Sequence, residues 1–484
     1  MLTQKSIKKN FMMNAILTVS SVIFPLITFP YVSRIILAEG VGKVSFATSL
    51  IAYFNILAQM GIPTYGIREC AKVRDDRQQL SKTVRELLFI NLYMSLIAYV
   101  LLGIALICIP RLYEDRTLYI IASLTIFFNT IGMEWLYKGL EQYSYITIRS
   151  LIFKVVALIV MFLLIKKTDD YVIYGALTIF ASSASNICNF IKARKIIDFK
   201  HKITLEYRKH LSAVAIFFAM ACATTIYTNL DTVMLGFMKS DVDVGYYNAA
   251  VKIKFVLVSF VTSLGAVLLP RASYYLDKGM RDEFRKIISK AINFVMAVSI
   301  PLTVYFVMYA RESIYLVSGE NFFGSIMPMK WIMPTLIFIG LSNIIGLEIL
   351  VPCGREKMVL VSEVVGAVVD VTINAALIPK YSSVGAAIGT TVAEFVVLMV
   401  QLVAVRNEFS NILNPAKYYK IIIATCIAGV LSYYFIHMFH FGVFITLVIS
   451  SIEFFSIYFI VALLIKETMI CEIWSELCGK IKKH

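Results

Sequence analysis

Polar residues in this chain fall in short islands between long apolar runs. Fourteen such runs can be marked, at 11–34, 44–66, 86–109, 117–137, 145–165, 171–191, 211–236, 246–270, 287–310, 327–350, 357–378, 384–405, 418–438 and 441–465. A helix needs about 20 mostly apolar residues to cross the hydrocarbon core of a bilayer, and each run reaches that length. The pattern predicts an all-α polytopic membrane protein with 14 transmembrane helices. All the intervening loops are short. The longest, "KARKIIDFKHKITLEYRKH", joins the sixth and seventh runs, so no part outside the membrane is large enough for a catalytic domain.

Composition agrees: the 484 residues are 59% hydrophobic and 16% charged, against about a quarter charged in soluble domains. The net charge of +15 first suggests nucleic acid, but its distribution excludes that partner. With the N-terminus placed in the cytoplasm, the inner loops and termini, together with the run ends that border them, hold 33 of the 46 lysines and arginines. This is the positive-inside bias of topology, and it puts both termini in the cytoplasm. The first run continues past 20 residues without a small-residue cleavage site, so it reads as a spanning helix and not a removable signal. Eight scattered cysteines lack a CxxC pair, and five histidines form no ligand triad. They suggest neither a metal nor a cofactor.

An internal repeat is visible in outline. "SRIILAEGVGKVSFATSLI" (33–51) and "DTVMLGFMKSDVDVGYYNAAVKI" (231–253) both run helix, short turn, Val-Gly, helix, with Val41-Gly42 matching Val244-Gly245. Two six-helix bundles in parallel repeat are expected, with residues 1–210 and 211–410 as lobes and 411–468 as helices 13 and 14. The tail, 469–484, places Ile470, Ile473, Trp474, Leu477 and Ile481 on one stripe beside lysines. It reads as a cytoplasmic interfacial helix lying on anionic lipid.

Charges inside a span are costly unless paired or wetted, which makes each one a candidate. Lys154 lies nine residues past Tyr145, about 13 Å into its run; either a carboxylate pairs with it or it lines a wet cavity. Glu134, Lys138 and Glu141 recur at helical spacing, and a Glu-Lys pair four apart can satisfy itself. Glu363, Asp370 and Asn374 align on one helix face, and Glu394 is also mid-span. Any of these acids could be visited by a coupling proton or sodium ion. Asp231 and the pair Lys252 and Lys254 flank the second hairpin turn at similar depth. Residues two apart point in roughly opposite directions on a helix, so Asp231 can neutralise one lysine and not both. Lys252 is preferred for a cavity and Lys254 for the pair. Arg34 and Lys43 bracket the first outer turn, where a guanidinium suits phosphate oxygens.

Several stretches together resemble the bacterial oligosaccharide and polysaccharide-unit flippases, of the superfamily that includes lipid II flippases and multidrug and toxin extruders. They are "FPLITFPYVSRIILAEGVGKVSFATSLIAYF", "MGIPTYGIREC", "EWLYKGLEQYSYITIRSLIFK", "NLDTVMLG" and "VGYYNAAVKI". The resemblance implies a cavity between two lobes that alternates between faces and no enzymatic step. The implied cargo is an undecaprenyl-pyrophosphate-linked glycan, received at the cytoplasmic face of the bacterial inner membrane; other polysaccharide assembly proteins are possible partners. It also implies pyrophosphate-binding cations, for which Arg34, Lys154 and Lys252 are the candidates, and a cytoplasmic gate containing Arg68 and Glu69. An organic-cation exporter of the same fold is the alternative, kept open by Glu363 and Asp370. A membrane glycosyltransferase or polymerase is disfavoured by the short loops.

Overall fold

The computed structural model describes residues 7–199, 206–409, 418–438 and 441–481. Part of the basic 192–210 loop and the tail lysines 482 and 483 lie outside them. Among the described residues the regular structure is entirely helical. Eleven helices are long and apolar enough to cross a membrane, or twelve if the bent pair Glu320–Ile332 and Thr335–Leu350, which turns by 47°, is one span. The chain divides into two compact units, Met1–Gly245 and Tyr246–His484.

In the first unit the helices include α1 (Ile7–Gln59), α2 (Ile62–Lys72), α3 (Arg77–Cys108), α4 (Arg116–Gly132), α5 (Glu134–Gly139), α6 (Tyr143–Leu164), α7 (Tyr171–Ile179), α8 (Asn186–Ile196) and α9 (Arg208–Met238), with a single turn, Pro110–Glu114, between α3 and α4. A π-helical turn, Phe180–Ala184, joins α7 to α8. The next helix, α10 (Asp241–Asp277), begins in this unit.

α1 is 53 residues long. At about 1.5 Å per residue it would extend ~80 Å if straight, more than twice the ~30 Å of a bilayer core. It is not straight, because Leu37 adopts non-helical angles (φ 59°, ψ −173°). Its neighbours give the direction of each arm. The first arm runs with α6: Thr147 donates to the Met13 carbonyl (2.9 Å) and Tyr31 to that of Ile165 (2.9 Å). The second arm runs with α4, with Phe46 edge-on to Tyr119 and Asn129 donating to Asn55 (3.2 Å). α4 runs with α7 and α8, since Tyr171 bonds Asp115 at one end and Asn186 bonds Asn129 at the other. α6 opposes them, since Arg149 reaches Ser185 and Phe153 stacks on Phe180. The chain therefore reverses at Leu37, and α1 is a helical hairpin.

Two left-handed residues, Met60 and Gly61, end the second arm and start α2. Asp76 caps α3 by accepting from the backbone N–H groups of Gln78 and Gln79 (2.8 and 3.1 Å), which satisfies donors that a helix start leaves open. The fourth apolar run differs from expectation. Met133 (φ 42°) ends α4 and Glu141 (φ 54°) follows α5, so Glu141 does not continue the Glu134–Lys138 face. It pairs instead with Arg74 (2.8 Å).

The first two hairpin turns meet through glycines. A Cβ on Gly42 would overlap the Asp241 carbonyl, and one on Gly245 would overlap that of Ala38. Ala38 and Gly42 stand four apart, as do Asp241 and Gly245, so the contact is reciprocal in the manner of a two-fold relation.

Past α10, the second unit contains α11 (Arg281–Met308), α12 (Ala310–Ser318), α13 (Ile326–Ile332), α14 (Thr335–Asn343), α15 (Glu356–Phe409), α16 (Tyr419–His437), α17 (Val443–Leu464) and α18 (Thr468–Ile481), with a π-helical Ile344–Leu350 after α14. α15 folds back on itself at Ser382 (φ 48°, ψ −127°). Across this hairpin Gln401 donates to Ser362 (3.1 Å) and Arg355 to the Ala404 carbonyl (3.4 Å). Tyrosine hydroxyls tie α11 to α16 and α17. Tyr458 donates to the Ala297 carbonyl (2.8 Å), Tyr305 to that of Leu447 (3.1 Å), and Tyr309 shares a hydrogen bond with Ser432 (2.7 Å). Each is an apolar body with its polar tip satisfied inside the bundle.

Candidate functional site

α6 carries two cations within its span, and they face different neighbours. The half-buried Lys154 ammonium donates to Ser20 Oγ (2.9 Å) and Ser21 Oγ (3.0 Å) on the first arm of α1. Among the described residues no carboxylate lies within ion-pair distance of it. Of the two alternatives open for Lys154, the contact geometry thus provides hydroxyls and not an acid. Two neutral acceptors solvate the ammonium and leave its charge uncompensated at contact range, which is what an anionic ligand would meet.

Arg149, which sequence reasoning passed over, is buried. It donates to the Ser185 carbonyl and to Asn186 Oδ1 (3.0 Å each), and its second terminal nitrogen lies 3.5 Å from Glu134. Glu134 also holds Lys138 at 2.8 Å, the self-satisfying pair expected from the spacing. A ladder of amides extends this centre. Asn189 donates to Asn186 (3.4 Å), Asn186 to Asn129 (3.1 Å) and Asn129 to Asn55 (3.2 Å). Gly132 leaves the room, since a Cβ there would collide with the Asn186 side chain. The available signal was the stretch "IRSLIFK", which puts two cations five residues apart near the start of a span.

The predicted gate residues form one neighbouring pair. Arg68 lies 3.3 Å from Glu69, which also holds Lys72 at 2.9 Å, while the Arg68 guanidinium stands 5.5 Å from the Tyr65 and Phe217 rings. Behind Tyr65 is a buried relay that the sequence did not suggest. The Tyr65 hydroxyl meets His210 Nδ1 (2.8 Å), and His210 Nε2 meets Glu86 (2.9 Å). A carboxylate only accepts, so Nε2 is the donor to Glu86. Glu86 further accepts from Lys209 (3.0 Å) and the Glu206 backbone (2.8 Å). In the sequence His210 ends a basic loop, and its pairing partners lie 145 and 124 residues away.

At the opposite end of this unit Arg111 binds Asp241. Burial pulls the Arg111 guanidinium down, but the hydrogen bond and charge of Asp241 more than offset it and raise its affinity for the proton. Lys43 is held by Glu39 (3.3 Å) and Asp115 (3.7 Å) and lies over the Tyr171 ring. Arg34 is exposed and donates to the Pro30 carbonyl of its own arm. Asp231 is buried on α9.

In the second unit Lys252 and Lys254 are both half-buried on α10. Asp370 and Asn374 are fully buried and joined by a hydrogen bond (3.2 Å), facing Gly389 across the α15 hairpin. Glu363, on the same stripe, is half-buried, and Glu394 is buried on the other arm. A further acid, Glu348, was hidden in the apolar run "IIGLEILVP". It is buried in the π-helical turn, with neither carboxyl oxygen hydrogen-bonded.

Comparison with known proteins places this architecture. The profile of the family described as "Polysaccharide biosynthesis protein" matches residues 7–276, and that of "MatE" matches 215–376. Two curated relatives are named "Putative O-antigen transporter". The one from Shigella dysenteriae is 25% identical over 82% of this chain and all of its own length. The one from Escherichia coli (strain K12) is 21% identical over 83% of this chain and 97% of its own. Among solved structures, lipid II flippase MurJ in an inward closed conformation superposes with a TM-score of 0.70 at 16% identity, over 94% of this chain and 99% of its own. An inward-facing multidrug resistance MATE family transporter of the MOP superfamily gives 0.62 at 13%, over 80% and 94%. At such identities the two structures report the fold. With more than half its length matched by the family profile, this chain belongs to the polysaccharide biosynthesis protein family, whose members are multi-pass membrane transporters and not enzymes.

Proposed function

We propose that the protein moves undecaprenyl-pyrophosphate-linked oligosaccharide units from the inner to the outer leaflet of a bacterial cytoplasmic membrane by alternating access. The observation that carries this reading is Lys154, a cation inside a span whose contacts are the two serine hydroxyls (2.9 and 3.0 Å). A pyrophosphate head is a compact polyanion, and ammonium and guanidinium donors bind such oxygens through charge-assisted hydrogen bonds. The grip has to be loose enough for release, and a lysine solvated by hydroxyls meets that need better than a closed ion pair. Arg34 and Lys252 are assigned the same role. The relatives named as O-antigen transporters and the fold shared with a lipid II flippase support a lipid-linked glycan as cargo.

The architecture proposed is fourteen spans with both termini cytoplasmic. Each arm of the α1 and α15 hairpins counts as one span, the bent pair counts as one, and helices 13 and 14 follow two six-helix bundles. The reciprocal Gly42 and Gly245 contacts favour a parallel repeat. Asp231 and Lys254 are assigned to ion pairing and Glu134 to holding Arg149. Glu363, Asp370 and Glu394 are the candidate stations for a coupling proton or sodium ion, and Arg68 with Glu69 belongs to the cytoplasmic gate. Anionic lipids and other polysaccharide assembly proteins are the expected partners. The match of the MatE profile across Glu363 and Asp370 favours, as second reading, an organic-cation exporter of the same fold.

The test is translocation of a lipid-linked unit in proteoliposomes by wild type and by Lys154→Ala, Lys154→Arg, Lys252→Ala and Lys254→Ala, each normalised to folded protein. Transport should fall at least about tenfold in Lys154→Ala, the equivalent of losing about 1.4 kcal/mol of binding, and recover in part with arginine. Undiminished transport in all four variants, or export of organic cations in place of the glycan lipid, rejects the assignment.

A further inference from the structure

A second charged site lies within the second unit, where α18 packs against the start of α11. The two helices flank an open hollow of about 500 Å³. Arg285, Lys286, Ser289 and Lys290 line it from α11, and Thr468 and Glu472 line it from α18. The α11 residues recur at helical spacing, so one stripe of the helix supplies three cations to one hollow.

Acids meet two of the three cations, and Asp282 adds its charge beside Lys286. Glu472 lies 3.3 Å from Lys290 and so ties α18 to α11. Glu283 meets Lys286 at 2.9 Å in a pair exposed on both sides, which holds little energy. Arg285 is exposed, and among the described residues no carboxylate lies within ion-pair distance of it. The depth of the hollow is marked by its surroundings. The α11 residues occupy the first three turns of a helix long and apolar enough to cross a membrane, and the exposed Trp474 of α18 meets Phe459 of α17 edge-on (5.8 Å). Tryptophan at such a boundary marks the headgroup level of a bilayer. A hollow of this size falls in the range of roughly 300–1,000 Å³ typical of small-ligand sites, too large for a bare ion to fill.

We infer that the hollow between α11 and α18 is a binding site for a phosphate ester, with Arg285, Lys286 and Lys290 on the phosphate oxygens and Ser289 and Thr468 on the ester's hydroxyl groups. Its depth favours the headgroup of an anionic lipid, since basic pockets among spanning helices at a membrane surface take such headgroups. A soluble organophosphate shares the chemistry. Neither role requires the translocation reading, because the residues are separate from Lys154, Arg34 and Lys252.

The full chain, delipidated in detergent, would be titrated with short-chain phosphatidylglycerol, short-chain phosphatidylcholine and glycerol phosphate, with bound ligand read by native mass spectrometry. Phosphatidylglycerol should bind at least about tenfold more tightly than phosphatidylcholine. Arg285→Gln and Lys290→Gln should each weaken it several-fold, whereas Glu472→Gln, which removes the negative charge beside Lys290, should strengthen it. The opposite signs separate a binding role from a folding defect. Glycerol phosphate binding as tightly as the lipid, with the same response to the variants, supports the site and assigns it to a soluble ester. Equal binding of the two lipids, or a response to none of the three substitutions, overturns the proposal.

Discussion

Replacing Gly42 by alanine tests the glycine crossing most sharply, because the same substitution has the opposite effect elsewhere. In an open helix, glycine to alanine stabilises by about 1 kcal/mol, since alanine has less backbone freedom to lose. Gly103 on α3 is such a site, with nothing within 4 Å of an added Cβ. At Gly42 the new carbon would stand 2.6 Å from the Asp241 carbonyl carbon and 3.0 Å from the Gly245 nitrogen, where ordinary contact begins at 3.4 Å. The Asp241 carbonyl oxygen stands closer still, so the two hairpin turns must separate by more than about 0.8 Å, the difference between 3.4 and 2.6 Å. The obstacle is backbone, so no rotamer change relieves it. Overpacking of this kind costs about 1–3 kcal/mol; taken at the upper end and set against the alanine gain, a net loss of about 2 kcal/mol is expected. Gly42→Ala and Gly103→Ala should then differ by about 3 kcal/mol. Gly245→Ala should behave as Gly42→Ala does, and the double variant should lose less than the sum, because one separation relieves both clashes. The assay is the thermal unfolding midpoint of detergent-solubilised protein, with translocation measured alongside. Equal, upward shifts at positions 42, 245 and 103 would refute the close crossing.

Three further outcomes follow from the polar contacts. Glu86→Ala strands the buried His210 and removes the acceptor of the Glu206 backbone N–H, so it should cost about 1–3 kcal/mol, read as a lower unfolding midpoint, while His210→Phe should cost less. Arg149→Lys keeps the charge but loses the fork that spans Ser185, Asn186 and Glu134; destabilisation by about 1–3 kcal/mol is expected, checked by the same midpoint. Glu206 is held below the ordinary carboxylate value of 4.5 by the Lys82 hydrogen bond and the charges of Lys82 and Lys209. A lowered folded value means its contribution is complete above 4.5 and lost as pH falls through the lowered value. The Glu206→Gln variant should therefore be less stable than wild type at neutral pH and equal to it in acid; a constant difference across a pH series of unfolding midpoints contradicts that account.

The apolar runs determined by themselves that this is a helical membrane protein, because a bilayer punishes any backbone whose hydrogen bonds are not made internally. They also placed the hairpin at 33–51 and the Glu134–Lys138 pair, features set by contacts within a few turns. Pairings between distant helices were not legible. Arg149 with Ser185 and Asn186, His210 between Tyr65 and Glu86, and Lys154 against two serines 133 and 134 residues away all depend on which helix faces which. A hydropathy run also cannot display a single left-handed residue, so the helical spacing of Glu141 hides the breaks at Met133 and at Glu141 itself. Sequence fixes how long a helix can be and how costly its charges are. Tertiary structure alone decides what each charge meets, since that depends on the rotation of one helix against another and on glycines, such as Gly42 and Gly245, that let two backbones touch.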